Sequence, residues 1–292
     1  MQHRGMSMRA MFSLLESQID SSRAMPSAGK LVLSRLGAGE SRIAAPSPSL
    51  KLVVEGEEVY ETDGRTIRVG PGQFLYLDAG EECRALNRGF AIGLCLFLPP
   101  AESGAIGSAA TGGDPVFGRS LLLSCHASVL GRLLDHFGRM LVAHPELGPS
   151  LAPALVALAH EAIEQPLAES RIAIDALNAA KLSTRRELYQ KLETARAYLH
   201  ACAHRSVPLA ELAKVAGLSQ FHLARYFRDA FGSAPIAYHR GLRLERAADV
   251  LRHGGQSVTE VAETAGYSDP SALSHAFRRH FGQSPSALAA RR

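Results

Sequence analysis

Long apolar runs, clustered cysteines and, over the hundred-odd residues from Arg4 to Cys125, histidines are what this sequence lacks. No stretch approaches the ~20 apolar residues that a bilayer-spanning helix needs. The longest, Phe90 to Leu98, has the length of a strand. Met1 to Arg9 carries charge without the apolar block and cleavage site of a secretory signal. No membrane is therefore expected as a partner. The four cysteines, Cys83, Cys95, Cys125 and Cys202, form no CxxC pair and no Cys/His cluster. Their scatter argues against a zinc site or a disulfide framework and for reduced thiols in the cytoplasm. Between Arg4 and Cys125 there is no histidine, the usual nitrogen ligand of catalytic iron or zinc. Neither a Ser/His/Asp nor a Cys/His constellation is evident. No catalytic residue, metal or cofactor is expected, and the chain does not read as an enzyme.

What is present fits a soluble globular protein. The chain has 292 residues, roughly two domains at about 150 residues each. Apolar residues make up 46% and charged residues 21%, which excludes collagen-like, mucin-like and wholly disordered chains. The net charge of +4 is uneven. Residues 183–292 hold 16 Lys+Arg against 9 Asp+Glu, and residues 1–182 hold 16 against 19. A basic C-terminal third behind a mildly acidic front is a footprint expected for nucleic-acid binding.

The fold class that follows is α+β and multidomain. Residues 1–29 read as an N-terminal arm, with helical spacing at Met8, Met11, Phe12, Leu15 and Ile19. Residues 30–118 read as a β domain ending in a Pro/Gly/Ala/Ser loop. Its strands are expected at Leu31–Leu36, Leu50–Val54, Val59–Thr62, Arg65–Val69, Phe74–Leu77 and Phe90–Leu98. Asp63-Gly64 suits a two-residue hairpin turn. Many short strands at this spacing suggest a small β-barrel or jelly roll. Residues 119–182 change to helical period. Leu130, Leu133, Leu134, Phe137, Met140 and Leu141 share one face, opposite Arg132, Asp135 and Arg139. That stripe is read as a homodimer face, with two further helices at Leu151–Gln165 and Leu167–Leu182.

Residues 183–292 contain an internal repeat. Leu209-Ala-Glu-Leu-Ala-Lys-Val-Ala-Gly217-Leu-Ser219 runs on to Leu223, Phe227, Phe231-Gly232 and Pro235. Val258-Thr-Glu-Val-Ala-Glu-Thr-Ala-Gly266-Tyr-Ser268 runs on to Leu273, Phe277, Phe281-Gly282 and Pro285. Each copy reads as a helix-turn-helix. Gly217 and Gly266 stop the first helix, and Ser219 and Asp269 cap the second. Ile236, Leu242, Leu244, Ala247, Ala248 and Leu251 form the apolar face of one connecting helix, uninterrupted except by Gly241.

The run Val261-Ala-Glu-Thr-Ala-Gly266-Tyr-Ser-Asp-Pro-Ser-Ala-Leu-Ser-His-Ala-Phe277-Arg-Arg-His-Phe281-Gly282-Gln-Ser-Pro285 resembles the best-marked stretch of AraC/XylS-type transcriptional regulators. The resemblance covers residues from about 187 to 292 and implies a tandem helix-turn-helix DNA-binding domain. In texture, and in Val69-Gly-Pro-Gly-Gln-Phe-Leu, the front is similar to the cupin-like sensor domain of that family. The resemblance implies a cytoplasmic homodimer that binds double-stranded DNA and activates transcription, with RNA polymerase as a partner, under control of a small-molecule effector in the β domain; the alternative is a dimeric regulator that needs no ligand.

The outward residues of the two second helices are the expected DNA contacts. In the first unit they are Gln220, Phe221, His222, Ala224, Arg225 and Arg228; in the second, Ser271, Ala272, Ser274, His275, Arg278 and Arg279. Phe221, Ala224 and Arg225 match base-facing positions of the family motif, and an Arg225 fork suits guanine O6 and N7. His275 stands where the family often has arginine. Arg240 and Arg243 are assigned to phosphate or solvent. In the β domain Tyr60, Phe74 and Tyr76 are candidate effector contacts, with Arg65, Arg68, Arg84 and Arg88. The Arg84/Arg88 spacing resembles the arginine motif of PilZ-type cyclic di-GMP modules, an alternative effector reading.

Overall fold

The computed structural model describes residues 11–16, 28–44, 47–62, 65–99, 120–253 and 256–290. The chain divides into two compact units, Met1–Ile172 and Ala173–Arg292.

The first unit holds ten strands among the described residues: β1 (Phe12–Leu15), β2 (Lys30–Leu36), β3 (Gly39–Ala44), β4 (Ser49–Glu55), β5 (Glu58–Thr62), β6 (Arg65–Val69), β7 (Gln73–Leu77), β8 (Glu82–Asn87), β9 (Ala91–Phe97) and β10 (Ser120–Ser124). They form a six-stranded sheet in the order β1-β2-β9-β4-β7-β10 and a four-stranded sheet in the order β3-β8-β5-β6. Among the described residues no ladder joins the sheets, so the expected barrel is seen as two facing sheets. Residues of both pack into one inter-sheet core, with Ile43, Tyr60, Ile67 and Val69 meeting Val53, Leu75, Leu77 and Leu122. The β5–β6 hairpin pairs Thr62 with Arg65, as the Asp-Gly signal requires; the two turn residues lie outside the described residues.

Leu50, Leu52 and Val54 of β4 point the other way, toward helices α1 (Val129–Ala143) and α2 (Gly148–Ala162). This explains why β4 reads as a nearly continuous apolar run: a central strand is buried on both faces. Ser128 caps α1 by accepting from the Gly131 amide. At Gly138 a side chain would meet Leu52, Leu94 and Val54 at 2.8–3.1 Å, so the absence of a Cβ sets how closely the helix lies on the sheet. The third helix of this region, α3 (Glu164–Asp175), ends short of the expected Leu182.

One expectation fails at the N terminus. Phe12–Leu15 is not helical but forms β1, parallel to β2. The open edge of β2 offers a ladder of hydrogen-bonding groups, and Leu31 N donates to Met11 O there. Pairing along an exposed edge outweighs a short apolar helical period. Met8 and Ile19 lie outside the described residues.

The inter-sheet space is not uniformly filled. At its β6/β7 side Ile67, Val69, Leu75 and Leu77 close it. At its β1/β2/β9 side the inward positions are small: Ser34 and Gly93 on one sheet, Ser41 and Ala85 on the other. A cavity of about 130 Å³ remains there.

The second unit is helical: α4 (Leu182–Ala201), α5 (Leu209–Ala216), α6 (Gln220–Phe231), α7 (Pro235–His253), α8 (Val258–Thr264), α9 (Pro270–Phe281) and α10 (Pro285–Ala289). The repeat is visible as α5–α6 and α8–α9, with α7 between them. Leu244, Ala247, Ala248 and Leu251 of α7 share a core with Val261, Ala262, Leu273 and Phe277. Ile236, assigned by its spacing to the buried face of α7, is 43% exposed.

Candidate nucleic-acid interface

Each second helix is launched by the cap its sequence supplies. Ser219 Oγ accepts from His222 N, and Asp269 accepts from Ala272 N at 2.8 Å with Pro270 at the first helical position. The Ala272 amide and Ser268 hydroxyl hold the Asp269 carboxyl below its usual range. The preceding turns carry Gly217 at φ +61° and Gly266 at φ +68°, a backbone region costly for residues with a Cβ.

Leu223 and Phe227 of α6, and Leu273 and Phe277 of α9, are fully buried. That fixes which side faces solvent. Gln220, Phe221, His222, Arg225 and Arg228 are exposed and Ala224 is half-buried beside them. On α9, Ser271, His275, Arg278 and Arg279 are exposed, with Ala272 and Ser274 half-buried. The structure thus groups the proposed contacts on one accessible face of each helix. Phe221 is 71% exposed, an unusual cost for a phenyl ring. It meets His222 edge-on at 5.7 Å, and His222 stacks on Tyr226 at 5.8 Å. Arg225 is only loosely paired, 4.0 Å from Asp229. Arg278, Arg279 and His280 lie in the last turn of α9, where cations suit the helix dipole.

Arg243 corrects the sequence reading. It is buried, not aimed at phosphate or water. Its Nε donates to Ala265 O at 2.7 Å, a second nitrogen donates to Gly266 O, and the guanidinium lies 4.4 Å over the Tyr267 ring. It closes the carbonyl end of α8, groups a helix terminus leaves unsatisfied. Arg240 is exposed, as expected of a residue left to solvent or phosphate.

A helix-turn-helix domain family matches residues 212–291. An AraC-like transcription regulator of Streptomyces antibioticus is 30% identical over 235 residues, covering 70% of this chain and 76% of its own. The chain belongs to the AraC-like transcription regulators. The GlxA regulator of Rhizobium meliloti is 30% identical over 129 residues, 44% of this chain and 38% of its own. Among solved structures, the DNA-binding domain of AdpA in complex with a target DNA is 34% identical, covering 35% of this chain and 91% of that one, with a TM-score of 0.34. Both relatives are named as transcription regulators. Among the described residues no group of three metal-ligating side chains occurs. No single helix among the described residues is long and apolar enough to cross a membrane.

The β unit of this regulator places the candidate effector residues differently. Of the six candidates whose side chains are described, Tyr60 alone lines the cavity. It is buried, and its hydroxyl donates to Glu58. Phe74 and Tyr76 share a face, but the helix-packed one, and Tyr76 Oη donates to Asp78 at 3.2 Å. Arg68 pairs with Glu57 at 2.9 Å in solvent. The Arg84 fork is occupied by Glu40, with Glu61 at 3.3 Å, and Arg88 is exposed. The Arg65 side chain lies outside the described residues. The cyclic di-GMP reading therefore gains no support from the arginine arrangement.

The residues missed are Lys51, Glu58, Asn87 and Cys95, all lining the cavity. The available signal was alternation: Lys51 interrupts Leu50-Leu52-Val53, and Glu58 alternates with Tyr60. A polar residue at an inward strand position marks a lined space or a buried network.

The stripe assigned to dimerisation is used within the chain. Leu130, Leu134 and Leu141 are buried in the core against the six-stranded sheet, and Phe137 packs on it. Leu133 and Met140 are half-buried. Leu130, Leu134, Phe137 and Leu141 thus form a packing face against the six-stranded sheet.

Proposed function

We propose that the regulator reads a bipartite operator, with α6 on one element and α9 on the other, under control of a small effector held by the β unit. The observation that carries this reading is the pair of capped, solvent-facing helices. One presents Phe221, Ala224 and Arg225; the other presents Ser271, Ser274, His275 and Arg278. A second copy of the chain is not required for two readers. Activation through RNA polymerase is part of the proposal; one relative, RclR of Escherichia coli, bears the name of a transcriptional activator.

The test is selection of bound fragments from a genomic pool by the full chain and by Arg225→Ala, at two salt concentrations. The expected result is a shared motif with elements about one duplex turn (~34 Å) apart. Arg225→Ala is expected to lose about 1–3 kcal/mol of discrimination at one position of one element. An unchanged motif in the variant overturns the assignment of Arg225. Salt-sensitive retention without a shared sequence overturns the bipartite reading.

A further inference from the structure

We infer that the cavity between the two β-sheets binds a small monocarboxylate, its carboxylate held by Lys51 and Asn87 and its apolar body lying against Val32, Leu36, Ile43 and Phe97. The inference rests on the proposed effector role of the β unit and names the class of molecule that role requires.

The charge balance carries the argument. Lys51 is 5% exposed and points into the cavity from β4. Its ammonium contacts Cys95 Sγ, its direct cross-strand neighbour, and lies 4.4 Å from the Phe97 ring centroid. Neither group neutralises it: burial pushes the Cys95 thiol up, so it stays a thiol. Among the described residues no carboxylate forms an ion pair with Lys51. Glu58, which lines the same cavity, accepts from Tyr60; burial raises its pKa against the opposing pull of the Tyr60 hydroxyl and the Lys51 charge, and it makes no ion pair with Lys51. A buried cation without an anion is costly, and is far less so when an anion is supplied.

A second, independent observation comes from the opposite sheet. Asn87 lines the same cavity, is 6% exposed, and its Nδ2 has no hydrogen-bond partner. Buried amide donors are nearly always satisfied. A donor and a cation facing one space call for a ligand rich in acceptor oxygen. The space sets the size. A cavity of about 150 Å³ takes benzene, and this one is about 130 Å³. An acid of roughly five to eight carbons is of that order.

The probes are pentanoate, hexanoate, cyclohexanecarboxylate and phenylacetate, each beside its primary amide, titrated calorimetrically into the full chain. At least one acid is expected to bind below about 1 mM, with its amide weaker by about tenfold or more. Lys51→Met keeps the packing of the stem and removes the charge. Asn87→Asp keeps the shape and adds a repelling anion. Each is expected to weaken the acid about tenfold or more. If Lys51→Met does not fold, Asn87→Asp decides alone. Equal binding of acid and amide, no acid bound to the folded chain, or undiminished binding by a folded variant overturns the inference. Operator binding is measured separately with and without the acid. An acid that binds the cavity and leaves operator binding unchanged overturns effector control and upholds the site. Equal binding by an amide that does alter operator binding overturns the carboxylate and upholds effector control.

Discussion

Replacing Arg243 by methionine separates a structural arginine from a DNA-contacting one. The residue gives two charge-assisted hydrogen bonds to Ala265 O and Gly266 O and lies over Tyr267. Hydrogen bonds to a charged group contribute about 1.5–3 kcal/mol each, and a partly desolvated cation–π contact about 1–2 kcal/mol. Against this stands the cost of burying the guanidinium, which also pulls its pKa down. A net loss of about 2–3 kcal/mol is expected once that cost is recovered by the apolar substitute. For a unit of this size each kcal/mol shifts the melting temperature by about 4 °C, so a drop of roughly 8–12 °C is expected. The assays are thermal unfolding and the salt dependence of operator affinity. Each phosphate contact contributes about 0.9 to the logarithmic salt slope. Arg243→Met is expected to lower the melting temperature and leave the slope unchanged. Exposed Arg240, substituted in parallel, is expected to alter stability by less than about 0.5 kcal/mol. A slope reduced by about 0.9 with unchanged melting would falsify the buried role.

The two turn glycines are expected to differ. At Gly217 an added Cβ would have nothing within 4 Å, so Gly217→Ala costs only the left-handed backbone, about 1–2 kcal/mol. At Gly266 the added carbon also meets Arg205 Cα at 2.9 Å, and denaturant unfolding should show a clearly larger loss; equal losses refute the packing argument. Leu134→Ala is expected to cost about 2–5 kcal/mol of stability without changing mass in sedimentation; a shift of a dimer to monomer at unchanged stability refutes the core assignment. The Arg205 guanidinium and the Tyr198 hydroxyl hold Glu211 down to about 2. With an unfolded value of about 4.3, its contribution is complete above that pH and lost as pH falls through about 2. Glu211→Gln should therefore flatten the acid limb of the melting profile, and an unaltered limb speaks against the pair.

The helix-turn-helix units were legible because their signals are local. Ser219, Asp269, Pro270, Gly217 and Gly266 each specify a cap or a turn within a few residues. In the structure Ser257 and Glu260 add a capping box at the start of α8, with both reciprocal bonds present. What was not legible depends on partners distant in sequence. Alternation places Phe74 and Tyr76 on one side of β7, but β7 is buried on both sides, and only the position of α1 and α2 decides which. The stripe on α1 requires an apolar partner without saying whether it is another chain or the sheet formed some 40 to 90 residues earlier. The cavity needs small residues from β2 and β9 opposite those from β3 and β8. No window of sequence contains all four.

The N-terminal half of the connector α7 is tied both to the close of α4 and to the close of α8, and this bears on how the two proposed readers would meet DNA. His239, pulled down by burial and so neutral near pH 7, lies with Nε2 3.2 Å from Cys202 O at the close of α4. A ring N–H is what that carbonyl requires. One turn later Arg243 holds Ala265 and Gly266 at the close of α8. The two side chains stand four residues apart on one face. Gly266 also lies against the Arg205 backbone, so the turn of the second unit is packed directly on the entry to the first. Three ties resist rotation of one reader against the other. Where the protein does not adjust, the duplex must, and the sequence between the two elements then contributes through its bending energy, without being touched. The expected outcome is an operator affinity that depends on the uncontacted spacer sequence and does so less in Arg243→Met; equal affinity across spacers refutes the reasoning.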